Sequence, residues 1–143
     1  MQILNGFTAL HTLRVMHRGF SPPNVLLKND GSLVIANFGF CRLGIGETTT
    51  DGIGPLSYMA PEVSPTKGKT SYTNKVDLWS IGVTLYEMIF GIKLYPIDPT
   101  KEKPEQVKEW ETETGRHNGT NLRFPKEGIS EDLKDLLKRL LQY

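Results

Sequence analysis

The sequence predicts a mainly α fold with a small β-hairpin region, and three stretches carry that expectation. Residues 76–89 are apolar nearly all round, with Val76, Leu78, Trp79, Ile81, Val83, Leu85, Met88 and Ile89. A helix without a clear polar face belongs in the middle of a core. Residues 130–141 open with Ser130, a good helix N-cap followed by Glu131 and Asp132, and carry the stripe Leu133, Leu136, Leu137, Leu140, Leu141. Between the apolar runs Val25–Leu27 and Leu33–Ile35 stands Asn29-Asp30-Gly31-Ser32, a strong hairpin signal.

The remaining elements follow in chain order. Ile3, Phe7 and Leu10 recur at helical spacing, so residues 2–13 read as a helix with one buried face. Val15-Met16 is a further short apolar run. Residues 40–57 hold Gly44, Gly46, Gly52, Gly54 and Pro55 with little periodicity, which predicts a long mobile loop of the kind that is usually functional or disordered. Residues 98–120 turn charged, with Trp110 as the one large apolar anchor; an exposed Trp110 would mark a partner site. Pro104 suits the first residue of a short helix, and Glu105 suits its first turn. The leucine stripe stops at Tyr143 with no tail to cover it, so more protein is expected to follow.

Composition narrows the function classes. With 143 residues, 38% hydrophobic and 23% charged, the chain reads as one globular unit. A net charge of +1 gives no electrostatic case for nucleic acid or an anionic membrane surface. Cys41 is the only cysteine, which excludes an internal disulfide framework and fits a reducing, cytoplasmic setting. The N-terminus lacks the build of a signal peptide, and the most apolar stretch, 79–92, is too short to span a bilayer and carries Glu87. Asn118-Gly119-Thr120 matches a glycosylation sequon without a secretory context. His11 and His117 have no partner at metal-ligand spacing.

The chemistry-bearing motifs come in a fixed order. His17-Arg18-Gly19-Phe20-Ser21-Pro22-Pro23-Asn24 has the spacing of H-R-D-x-x-x-x-N, and Asn37-Phe38-Gly39 that of D-F-G; Ala60-Pro61-Glu62 and Asp77-x-Trp79-Ser80-x-Gly82 follow. Any one is weak, but four in register are hard to reach by accident. The chain resembles the C-terminal lobe of a protein kinase along nearly its whole length. The resemblance implies a partial domain over 1–143, cut at both ends. The N-lobe, with its Gly-rich loop, lysine and glutamate, has no match here, and the arginine partner of Glu62 would lie beyond Tyr143.

The resemblance also implies roles. Arg18 would face the activation segment and could pair with a phosphate on Thr48, Thr49, Thr50 or Ser57, which otherwise read as solubilising loop residues. Asn24 would be the catalytic-loop ligand of a second Mg²⁺ accompanying ATP, and Asn37 stands where the family places its metal-binding aspartate. Structural roles fall to His17, which packs rather than titrates, to Phe38 and Gly39, to Glu62, to Asp77, which would hold the catalytic loop from the central helix, and to Trp79 packed beneath it. The plainer alternative for Asp77 is an acid at a helix start, favoured by the dipole.

Four departures then bear on function. Gly19 replaces the aspartate that accepts the substrate hydroxyl's proton, an assistance worth ~10²–10⁴ in rate or roughly 3–5 kcal/mol. Asn37 offers a neutral carbonyl to a hard cation that prefers carboxylates. Ser21 replaces a lysine that neutralises the transferred phosphate, and Pro55 a threonine near the catalytic aspartate. No catalytic position is intact, and ATP and Mg²⁺ use is expected to be weak or lost. Pro22 and Met59-Ala60-Pro61-Glu62 resemble the Ser/Thr branch. Gly19-Phe20-Ser21-Pro22 and Gly91-Ile92-Lys93-Leu94-Tyr95 are similar to the pseudokinase region of TBC-domain-containing kinase-like proteins. That likeness implies a downstream TBC domain acting in a Rab-GTPase pathway, and signalling or endomembrane roles. Three readings follow: a catalytically impaired binding or scaffolding module, with its own N-lobe among its partners; a Ser/Thr kinase with residual ATP-dependent activity through a displaced carboxylate, Asp30 or Asp51; or a fragment without function by itself.

Overall fold

Ile3 and Phe7 lie one turn apart on α1 (Gln2–Thr12) of the computed structural model, which describes residues 2–44, 54–67, 71–125 and 127–142. Both are buried against Phe20 and Ile81, with the Phe7 and Phe20 rings edge to face at 4.9 Å. After α1 the chain turns at Arg14 and enters β1 (Val15–Met16). The next strands, β2 (Val25–Leu27) and β3 (Leu33–Ile35), form the expected hairpin, with Val25 opposite Ile35 and Leu27 opposite Leu33. Its turn is fixed by the Asp30 carboxylate, which accepts from the Ser32 N–H at 2.9 Å and the Ser32 hydroxyl at 2.6 Å.

A second two-stranded ladder was not expected. The strand β4 (Arg42–Leu43) pairs antiparallel with β1, Val15 opposite Leu43 and Met16 opposite Arg42, inside the stretch that reads as loop. Two residues are too few to show a period. The expected loop is shorter for it, and it ends in a 3₁₀ turn at Leu56–Tyr58. Gly46, Thr48, Thr49, Thr50, Asp51 and Gly52 lie outside the described residues.

The helix without a polar face is α2 (Lys75–Phe90), with ten of its residues buried. Its composition has a simple cause: two apolar clusters meet on it. Ile81 joins the α1 cluster, while Val76, Trp79, Val83, Tyr86 and Phe90 join a larger one with Tyr95, Trp110 and Leu137. Gly91, in the left-handed region at φ 71°, ends the helix and donates its N–H to the Glu87 carbonyl at 2.8 Å. Trp110, on α3 (Lys103–Arg116), is fully buried, so it is a core anchor and not an exposed partner site.

The last helix, α4 (Glu131–Leu140), starts as expected: the Ser130 hydroxyl accepts from the Leu133 N–H at 3.3 Å. Its stripe packs inward. Leu137 and Leu141 are fully buried against the core that contains α2, and only Leu136 is exposed, at 37%. Cover for Leu137 and Leu141 comes from within the described residues. The close approach uses Gly82: a Cβ there would lie 2.9 Å from the Leu140 Cβ and 3.0 Å from the Leu141 Cδ2. No helix among the described residues is long and apolar enough to cross a membrane.

Asp77, in the first turn of α2, is fully buried and points at the loop after β1. Its Oδ2 accepts the His17 N–H at 2.9 Å and its Oδ1 the Arg18 N–H at 2.9 Å. The His11 Nε2, at the end of α1, lies 2.9 Å from Oδ2. One carboxylate thus ties α1, the loop and α2 together.

Two outcomes test this packing. Asp77→Asn turns an NH₂ group toward one of two backbone N–H donors and is expected to cost roughly 2–4 kcal/mol. A urea midpoint unchanged from the parent would contradict it. Gly82→Val overfills the α2–α4 contact and is expected to cost about 1–3 kcal/mol, seen as a lower midpoint at constant slope.

Candidate functional site

The loop from residue 17 to residue 24 is built from its backbone outward. Asp77 takes the two N–H groups at its start, which leaves Arg18 in the left-handed region at φ 59°. That conformation is unfavourable for a long side chain by roughly 1–3 kcal/mol, so the carboxylate must hold it. His17 is fully buried; its Nε2 lies 3.0 Å from the Ala36 carbonyl, and its Nδ1 lies 3.3 Å from the Gly19 N–H. A ring with its proton on Nε2 satisfies both contacts together.

Arg18 points toward the segment after Asn37-Phe38-Gly39. Its Nε donates to the Phe40 carbonyl at 2.7 Å and its Nη1 to the Tyr72 hydroxyl at 3.1 Å. Gly54 closes on the loop from the other side, where a Cβ would meet the Arg18 carbonyl oxygen at 2.5 Å. This sets Pro55, the exposed residue before the 3₁₀ turn, beside the loop. Farther along, the Tyr58 backbone carbonyl accepts from Ser80 at 2.8 Å and the Tyr58 hydroxyl donates to Glu87 at 2.5 Å. Burial, then the Glu87 carboxylate, push the Tyr58 phenol well above its ordinary range. Ser57 is half-buried in the same turn.

Gly19 is buried, and the room above it is taken. A Cβ at position 19 would lie 2.7 Å from the Phe40 ring Cδ2. Glycine itself offers no side chain here to accept a proton. Ser21, 5% exposed, and Asn24, 8% exposed, face inward. The Asn24 Nδ2 donates to the Gly19 carbonyl at 2.6 Å and to the Ser21 hydroxyl at 3.2 Å. Its Oδ1 therefore faces out, where it accepts from the Asn37 Nδ2 at 3.2 Å. Asn37 sits at φ 66°, which an asparagine tolerates better than most residues. Phe38 is 48% exposed with its ring 5.3 Å from that of His17, and Gly39 is exposed beside it.

The other singled-out residues lie apart. Trp79 is buried in the larger cluster with its indole stacked on Tyr95 at 5.9 Å. Glu62 is half-buried in the 3₁₀ turn Pro61–Val63. Asp30 is exposed in the hairpin turn, and the Ser32 hydroxyl, then the Ser32 N–H, hold its carboxyl below the usual range, which makes it a poorer base. The Cys41 Sγ lies 3.7 Å from the His17 carbonyl, and burial pushes this thiol up, so it is no thiolate nucleophile at neutral pH. His117, just after α3, sits 3.6 Å from Glu113. Gly119 of the sequon donates its N–H to the Leu141 carbonyl at 2.8 Å.

Three participants escaped the sequence reading. His11 has no metal partner but lies beside Asp77, six residues before the loop, with nothing in its spacing to say so. Phe40 and Tyr72 fill and brace the site through contacts that no motif position names. Among the described residues no group of three or more His, Cys, Asp or Glu side chains could hold a metal. The site is an internally hydrogen-bonded loop anchored on the Asp77 carboxylate, with amides and a hydroxyl at positions 21, 24 and 37.

The Protein kinase domain family matches residues 1–143. The chain is 32% identical over 143 residues to serine/threonine-protein kinase Sgk3 of Mus musculus, covering 99% of this chain and 26% of that protein. It is 34% identical over 142 residues to serine/threonine-protein kinase gad8 of Schizosaccharomyces pombe, covering 98% and 22%. With myosin light chain kinase A of Dictyostelium discoideum it shares 36% over 148 residues, covering 98% and 45%. The chain spans less than half the length of each of these relatives. Its helices and hairpin are those of the C-terminal lobe, and the chain belongs to the protein kinase domain family.

Proposed function

We propose that this chain is a catalytically impaired, kinase-like C-lobe that serves as a protein-binding or scaffolding module in a larger cytoplasmic regulatory protein. The observation that carries the reading is position 19. A glycine stands where the proton acceptor is needed, and the Phe40 ring lies in the room that an acceptor's Cβ would need. Ser21 and Pro55 add neither a cation nor a hydroxyl at the positions where the resemblance wants a lysine and a threonine. ATP with Mg²⁺ is the group the family relationship implies, and this reading takes its use as weakened or lost. An N-lobe supplied by the rest of the protein would complete a nucleotide cleft and would be the first partner of this lobe. The likeness to TBC-domain-containing kinase-like proteins rests on Gly19 to Pro22 and Gly91 to Tyr95 alone, and with it the proposed link to a Rab-GTPase pathway.

A second reading has its own support. The relatives named above carry the names of protein kinases, and two of them are named serine/threonine kinases. Those names favour a Ser/Thr kinase domain with residual ATP-dependent phosphotransferase activity.

Radiolabelled phosphate transfer to a serine peptide by the full-length protein separates the two. The unaltered protein is expected at background, and Gly19→Asp with Asn37→Asp above it, since a positioned base contributes ~10²–10⁴ in rate. Metal-dependent turnover by the unaltered protein, co-eluting with it and lost on heating, would establish the second reading. A stability cycle tests the Phe40 contact separately. Gly19→Asp is expected to cost about 1–3 kcal/mol from crowding. Most of that cost should vanish in the Phe40→Ala background, and additive effects would contradict the contact.

A further inference from the structure

Asn24 and Asn37 stand where the family places metal ligands, and their geometry does not fit a metal. The orientation of Asn24 is fixed by its own donors: its Nδ2 is held by the Gly19 carbonyl at 2.6 Å and the Ser21 hydroxyl at 3.2 Å. Only its Oδ1 is left to face Asn37, and Asn37 answers with Nδ2 at 3.2 Å. The Asn24 Oδ1, the oxygen that faces this corner from the loop, is therefore committed to an N–H donor. That donor carries partial positive charge into the place where a cation would sit. A hard, strongly hydrated cation gives up water for oxygens with negative charge, and none is offered within this corner.

We infer that the Asn24–Asn37 amide hydrogen bond is a neutral substitute for the metal: it closes the corner against divalent cations, and the Nδ2 group of Asn37 alone decides this. The inference deepens the non-catalytic reading and rests on it. Replacing that NH₂ group with an oxygen turns the hydrogen bond into two facing acceptors about 3 Å apart. Asn24 cannot relieve the clash by flipping, because its amide would leave the Gly19 carbonyl. Two facing oxygens, one charged, are what a cation bridges. In the unaltered chain the corner needs no ion to be satisfied; after one substitution it does.

The substitution is mild. Asn37 is exposed, and at its φ of 66° an aspartate is tolerated almost as well as an asparagine. The probe is Mn²⁺, counted by the loss of its free-ion EPR signal on the full-length protein without nucleotide. The unaltered protein is expected to bind no ion at this corner, whereas Asn37→Asp gains one, at least about tenfold tighter than any binding to the parent. Asn37→Asp should also melt at a temperature that rises with Mg²⁺, by mass action on the folded state, while the parent stays flat. A saturable Mn²⁺ site in the unaltered protein that Asn37→Ala removes would overturn the inference, and so would an Asn37→Asp protein that gains no ion. The phosphotransfer assay fails or succeeds separately. A protein that binds Mn²⁺ at this corner but transfers nothing sinks only this inference, and turnover sinks the reading beneath it.

Discussion

The buried carboxylate of Asp77 is the constraint on which the site depends. It sits fully buried in the first turn of α2 and accepts the two N–H groups that open the catalytic-type loop, with His11 completing its surroundings. Taking a carboxylate out of water costs several kcal/mol. Hydrogen bonds to a charged acceptor return about 1.5–3 kcal/mol each, so the arrangement is viable only because several donors converge. Converging donors are also what specify a shape. The left-handed backbone of Arg18 persists because its N–H is held, and this backbone turn sends the guanidinium toward Phe40 and Tyr72.

Above that anchor the loop satisfies itself. Asn24 is the hub of this network: its Nδ2 donates to both the Gly19 carbonyl and the Ser21 hydroxyl, and its Oδ1 accepts from the Asn37 Nδ2. A half-satisfied polar network is costly in a low-dielectric setting. Here the groups find partners in each other, with no ion or charged side chain required. The Phe40 ring packs against Gly19, where an added Cβ would meet it. The loop therefore has a stable resting geometry of its own.

How much of this the sequence disclosed follows from what periodicity and motif spacing can carry. Apolar density placed α2 at the centre, and the serine cap placed the start of α4 where the structure has it. The Asn-Asp-Gly-Ser cluster placed the hairpin, because turn chemistry is local. The β1–β4 ladder stayed hidden, since two-residue strands have no period and their pairing is set by the surrounding core. The stripe of α4 was legible but its cover was not: nothing in Leu137 or Leu141 says that a glycine 55 or more residues earlier provides the groove. Within the site, motif spacing named Gly19, Asn24, Asn37 and Asp77, yet it could not orient an amide. Which atom of Asn24 faces Asn37 is decided by the Gly19 carbonyl, a backbone group that carries no sequence signal.

On the proposed non-catalytic reading, these facts would let scaffold and chemistry part company. The groups that hold the loop act through backbone: Asp77 binds N–H groups at positions 17 and 18, which any residue but proline would supply. The resemblance assigns phosphoryl transfer to side chains instead, at positions 19, 21, 37 and 55. Changing those side chains leaves the donors to Asp77 untouched. Gly19 still donates its N–H to His17 and accepts at its carbonyl from Asn24, so it loses only the group above the loop. The fold therefore places no demand of its own on a base or a metal. On that reading, a loop whose backbone is anchored and whose amides pair with one another keeps its shape without reactive carboxylates.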